Sequence, residues 1–207
     1  MKHEPEPLKF TKDLDGLTLK SLIEHYKLYE GYVKKANEIN DKLAAADKSE
    51  ANGVYSAVGE LKRQETFAVN GMKLHEVYFG GLSTDPLRPE GERTPKGEIA
   101  EIIGADFGSF DAWKENMIAA AMSARGWAIL AFDLKYGQLR NYATDGHNLG
   151  AVWEAIPLLA LDVYEHAYFM DYGTNKKAYL ESFFKNVDWH YANKTIRHFN
   201  LTKQHGE

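Results

Sequence analysis

The sequence predicts an α+β fold: a long antiparallel helical hairpin over residues 1–90, then an α/β domain over residues 91–207 built on a three-stranded antiparallel sheet. Three observations carry this. Leu19, Leu22, Ile23, Tyr26, Tyr29, Val33, Ala36, Ile39 and Leu43 recur at the spacing of one face of a long helix. Ser83 to Lys96 gathers three prolines among charged residues and reads as a boundary. Beyond it, short apolar runs separated by turn residues read as strands.

The elements follow in order. Leu8 to Leu17 is flanked by lysine and proline and reads as irregular, with Thr18 as the N-cap of a first helix from about Leu19 to about Ala46. This helix carries His25 and Tyr32. Asp47-Lys48-Ser49 and Asn52-Gly53 form a turn, and a second helix over Val54 to Leu82, carrying Asn70, His75 and Phe79, returns antiparallel to the first. After the boundary, Gly97 to Ile103 is a short helix and Phe107 to Ser123 another, capped by Ser109 with Trp113, Met117 and Ala121 on one face. Gly126 to Phe132 is a strand, Lys135-Tyr136-Gly137 a turn, Gln138 to Ala143 the returning strand, and Ile156 to Val163 the third. Two helices close the chain, Tyr164 to Asn186 with a break near Gly173, and Asp188 to Phe199.

Composition bounds the chemistry. The 207 residues are 44% hydrophobic, enough for a real core without covalent staples. With no cysteine, disulfides and thiolate metal sites are excluded, so any transition metal must be held by nitrogen and oxygen. The N-terminal residues lack the apolar core of a signal peptide and no stretch is long enough to span a bilayer, so a cytoplasmic protein without a membrane partner is expected. A net charge of −5 argues against sequence-independent nucleic-acid binding. Aromatics at 13% suit a well-filled core and equally a pocket kept dry.

The chemistry concentrates at Leu158 to Tyr168. Asp162 ends an apolar run and His166 follows four residues later, at a fixed point on the sheet edge. A hard carboxylate beside a borderline imidazole suits iron, manganese or zinc better than calcium or magnesium, which favour oxygen shells. The plainer alternative is an aspartate capping the next helix and a satisfied core histidine. Two ligands are too few, so other segments must supply the rest.

Asp162-Val163-Tyr164-Glu165-His166-Ala167-Tyr168 matches the D-x-W-E-H-A-Y signature of the iron/manganese superoxide dismutases except for Tyr164 in place of tryptophan. Phe107-Gly108-Ser109-Phe110, Gly126-Trp127-Ala128, Asn70 with His75, Tyr32-Val33 and the run Phe183 to Trp189 also match, so nearly the whole chain resembles that family. The resemblance implies one iron or manganese ion between the two halves, held by three histidines and an aspartate, with superoxide as substrate. Carried over, His75, Asp162 and His166 are ligands.

The fourth position is ambiguous. The family spaces its first-helix histidine H-x7-Y from the tyrosine matching Tyr32, which lands on Glu24, while His25 stands one residue later. A glutamate ligand would make a harder, more negative site of lower reduction potential. His25 restores the neutral third imidazole if the helix lacks a one-residue π-bulge, which shifts facing by about 100°, and is favoured here. The resemblance further implies that Tyr32 and His147 bond toward the metal's solvent and relay protons. Phe79, Trp127 and Tyr164 would form an aromatic shell. Glu165 would reach the partner's His166 in a homodimer or homotetramer. The family's His and Tyr gateway is replaced by apolar residues near Leu28 and Phe169.

Two other classes remain open. Two histidines and a carboxylate also make the facial triad of non-haem iron oxygenases, although no basic anchor for a cosubstrate is evident. A dismutase-like dimer that has lost its metal would serve as a structural module.

Overall fold

The computed structural model describes residues 2–201. Thr18 caps the first helix as its spacing predicts, accepting from Ser21 N, and α1 runs Leu19–Ala45 without interruption. Helix α2 spans Ala57–Gly80, starting three residues later than expected because Ser56 takes the cap, its hydroxyl accepting from Gly59 N. Val54 and Tyr55, given to the helix by their apolar character, instead form the exposed hairpin tip with Asn52 bonding both backbone amides.

The boundary segment is irregular apart from one 3-10 turn at Glu90–Glu92. It is tied across the molecule: the Arg93 guanidinium donates to Asp15 at 2.7 Å, and Leu82 bridges Val187. Helix α3 spans Glu98–Phe107, ending four residues later than its apolar run indicated. Helix α4 spans Phe110–Ser123 behind the Ser109 cap. Strands β1 (Trp127–Asp133), β2 (Gln138–Thr144) and β3 (Ala155–Asp162) form an antiparallel sheet of order β2-β1-β3. β1 is buried along its whole length, as a central strand covered on both faces must be.

The closing helix expected from Tyr164 breaks up more than foreseen. A 3-10 turn at Glu165–Ala167, the short α5 at Phe169–Tyr172, and α6 at Lys176–Asn186 share its length. Gly173 ends α5 at φ 55°, a conformation that costs glycine little. Helix α7 spans Trp189–Phe199 with Asp188 as its cap. The core is continuous between the halves, with Tyr29, Met72 and Tyr78 of the hairpin sharing a cluster with Trp113, Trp127, Phe132, Tyr179 and Phe183. No helix among the described residues is long and apolar enough to cross a membrane.

Candidate metal centre

Four side chains meet where the hairpin packs on the sheet. His25 comes from the second turn of α1, His75 from the last third of α2, Asp162 from the end of β3 and His166 from the 3-10 turn after it. One potential ligand atom from each lies within 4.8 Å of all the others. The Nε2 atoms of His25, His166 and His75 stand 3.0, 3.1 and 3.6 Å from Asp162 Oδ2. Glu24 faces the other way, exposed and ion-paired to Lys27 at 2.6 Å. A continuous α1 thus turns His25, and not Glu24, toward the cluster.

Local structure explains each position. The 3-10 turn after β3 keeps His166 close enough to Asp162 for their side chains to meet. Asp162 Oδ1 accepts from Tyr164 N, and the Tyr179 hydroxyl donates to the Asp162 backbone carbonyl at 2.8 Å, so the residue is held through both its side chain and its main chain. His75 Nδ1 lies 2.6 Å from Gly71 O, one turn earlier on α2. A carbonyl only accepts, so Nδ1 carries the proton and Nε2 is a bare lone pair.

That lone pair has no hydrogen-bond partner, is fully buried, and faces a carboxylate oxygen. Two electron-rich atoms opposed in a dry interior are unfavourable unless a cation lies between them. The donor set, three imidazoles and one carboxylate without thiolate, fits iron, manganese or zinc.

Electrostatics agree with a deprotonated donor set. Burial drives the His25 pKa down despite its bond to Asp162, and pushes His75 down to about 3. Burial alone would raise the Asp162 carboxyl, but hydrogen bonds from His166 and His25 outweigh it and hold it well below the usual carboxylate range. At neutral pH the buried His25 and His75 are neutral imidazoles beside an anionic Asp162.

A second layer adjoins the first. His147, in the β2–β3 loop, is 2% exposed; its Nδ1 accepts from Trp127 Nε1 at 2.9 Å and its Nε2 stands 2.7 Å from Tyr32 Oη. The indole N–H only donates, so the neutral imidazole carries its proton on Nε2 and donates it to Tyr32. Burial lowers His147 to about 4, and burial with the nearby Tyr164 and Asp162 raises Tyr32 to about 12. Phe79, Trp127 and Tyr164 line the cluster, their rings 5.1, 5.1 and 5.2 Å from those of His25, His75 and His166. Leu28 and Phe169 are 41% and 54% exposed, and Ile23 on α1 and Met170 on α5 are exposed as well.

The sequence reading passed over Gly71, Phe67, Tyr78 and Tyr179. Gly71 stands one helical turn before His75, a spacing that would have flagged it. Phe67 packs 4.5 Å from His147, and Tyr78 and Tyr179 approach from behind the cluster with nothing in their local sequence to mark them.

A helical hairpin closed onto a small mixed domain around a buried nitrogen and oxygen cluster defines a mononuclear metalloprotein. Residues 95–195 match the family described as iron/manganese superoxide dismutases, C-terminal domain. Superoxide dismutase (Fe) of Aquifex pyrophilus is 41% identical over 198 residues, covering 93% of this chain and 91% of that protein. Superoxide dismutase (Mn) 2 of Haloferax volcanii is 38% identical over 192 residues, covering 91% and 92%. The chain belongs to the iron/manganese superoxide dismutase family.

Proposed function

We propose that this protein disproportionates superoxide to dioxygen and hydrogen peroxide, using one iron or manganese ion per chain held by His25, His75, Asp162 and His166. The observation that carries the reading is the buried, unpartnered Nε2 of His75 aimed at Asp162 Oδ2, an arrangement a cation completes. Redox cycling of the bound ion supplies the electron taken from one superoxide and given to the next.

The chain's own residues manage protons and water. Peroxide formation consumes two protons. Tyr32, raised to about 12, keeps its hydroxyl proton throughout the neutral range. Because His147 Nε2 donates to it, the Tyr32 hydrogen is free to point toward the substrate side. The phenolate left after proton transfer stays hydrogen-bonded to His147 until solvent restores it. Phe79, Trp127 and Tyr164 exclude bulk water from three sides, which strengthens each of these interactions.

A homodimer or homotetramer in the cytoplasm completes the proposal, with Glu165 of one protomer reaching the partner's His166. Glu165 is exposed, and the His166 side chain is 28% exposed while the other three ligands are buried. Ile23, Leu28, Phe169 and Met170 offer apolar surface on the neighbouring helices. Metal analysis together with a superoxide-consumption assay tests the function. About one iron or manganese per chain with activity supports it; folded, metal-free and inert protein overturns it in favour of a structural module.

A further inference from the structure

The tyrosines behind the cluster form a connected row that the dismutase chemistry leaves unused. The Tyr78 ring lies 4.8 Å from that of His25, and its hydroxyl oxygen is 3.4 Å from that of Tyr179. Tyr179 in turn is 6.1 Å, ring to ring, from Tyr172. Tyr78 and Tyr179 are 1% and 0% exposed, whereas Tyr172 is partly exposed and bonds Ser182 Oγ at 2.5 Å. Phenols are readily oxidised by one electron, and a phenol on which the vacancy comes to rest also gives up its proton. Tyr78 and Tyr179 are buried from solvent and keep their protons, so a vacancy passes through them and comes to rest at the partly exposed Tyr172.

We propose that Tyr78, Tyr179 and Tyr172 carry oxidising equivalents away from the metal ligands to the surface, protecting the centre from its own product. The inference rests on the function proposed above, which supplies hydrogen peroxide and a reduced iron or manganese ion. Hydrogen peroxide that gained one electron, which the bound ion would supply, would split into hydroxide and a hydroxyl radical beside the ligands. The radical takes one electron from the His25 imidazole and becomes hydroxide. His25 is refilled from Tyr78, Tyr78 from Tyr179 and Tyr179 from Tyr172. Tyr172 releases its hydroxyl proton to solvent and is left as a phenoxyl radical. One electron and one proton from a thiol in solution then restore the phenol. Without the row, the electron vacancy stays on a ligand imidazole, which is destroyed.

The test uses metal-loaded protein whose metal content and dismutase activity are measured first. Hydrogen peroxide is added stepwise, with samples frozen for electron paramagnetic resonance and digested for mass spectrometry. The expected result is a tyrosyl radical in the parent protein, oxidation products concentrated at Tyr172, and loss of both on adding thiol. Tyr78→Phe and Tyr179→Phe should raise oxidation of His25 several-fold per peroxide added, normalised to the metal each variant binds. Tyr172→Phe, at the partly exposed end of the row, keeps the ring that packs on the core and should abolish the surface product and move damage inward. The inference is overturned if active, metal-loaded protein shows the same oxidation pattern in all these variants as in the parent. Protein without metal or activity overturns the proposed function, and this inference with it.

Discussion

The orientation of one histidine decides what the centre is made of. His25→Ala should abolish iron and manganese uptake at one per chain, while Glu24→Ala, which removes only an exposed pair with Lys27, should retain metal and activity; elemental analysis of the two proteins separates them. Protonation gives a second prediction. In metal-free protein, His75 binds its proton only near pH 3 when folded but near 6.5 when unfolded, and His147 only near 4. The unfolded state therefore binds more protons over that window, and stability falls as pH drops from about 6.5 toward about 3, by up to ~1.4 kcal/mol per pH unit for each group. Thermal melts of the metal-free protein across this range check the sign; a melting temperature that rises on acidification would refute it.

At the scale of elements, α1 and α2 approach each other closely beside the cluster. A Cβ on Gly71 would lie 2.8 to 3.1 Å from three ring atoms of Tyr32. Gly71→Ala should displace Tyr32 from His147 while leaving the Gly71 carbonyl to orient His75, so metal is retained and turnover falls, by roughly tenfold or more if proton delivery contributes as general acid catalysis does elsewhere. Metal content and activity, measured together, check the separation. The hairpin and the sheet were legible in the sequence because their signals are local: apolar spacing in α1, the Ser109 and Thr18 caps, short apolar runs for the strands. The start of α2 was misread because Val54 and Tyr55 look like helix while Asn52 and Ser56 hold the turn. Asp162 and His166 could be paired from spacing alone. Whether His25 or Glu24 faces them depends on how α1 is rotated against α2 and β3, which no local pattern records. Tyr78 and Tyr179 were equally hidden, since they meet across 101 residues of chain.

For the whole molecule, the proposed ligands come from both halves, so a bound ion would be part of the fold. Metal at a thousandfold excess over its dissociation constant adds ~4 kcal/mol to stability, so stripping it should lower the melting temperature by about 10 °C for a chain of this length. Differential scanning calorimetry before and after chelation, with metal restored as control, measures this. The proposed assembly gives a companion prediction: Glu165→Ala should shift the protein toward monomer in size-exclusion chromatography with light scattering and expose His166 to solvent. An unchanged mass would remove Glu165 from the interface.

The seam at which the centre lies also sets how fast its contents can change. His25, His75 and Asp162 are 2%, 0% and 0% exposed, and the side chains around them belong to one continuous core. Lifting the hairpin from the sheet would expose a bound ion, so its residence time depends on the rate of that opening as well as on the strength of its bonds. Where that opening is slow, the ion captured as the two halves close would set what each molecule holds; elemental analysis of iron-loaded protein after incubation with manganese measures it.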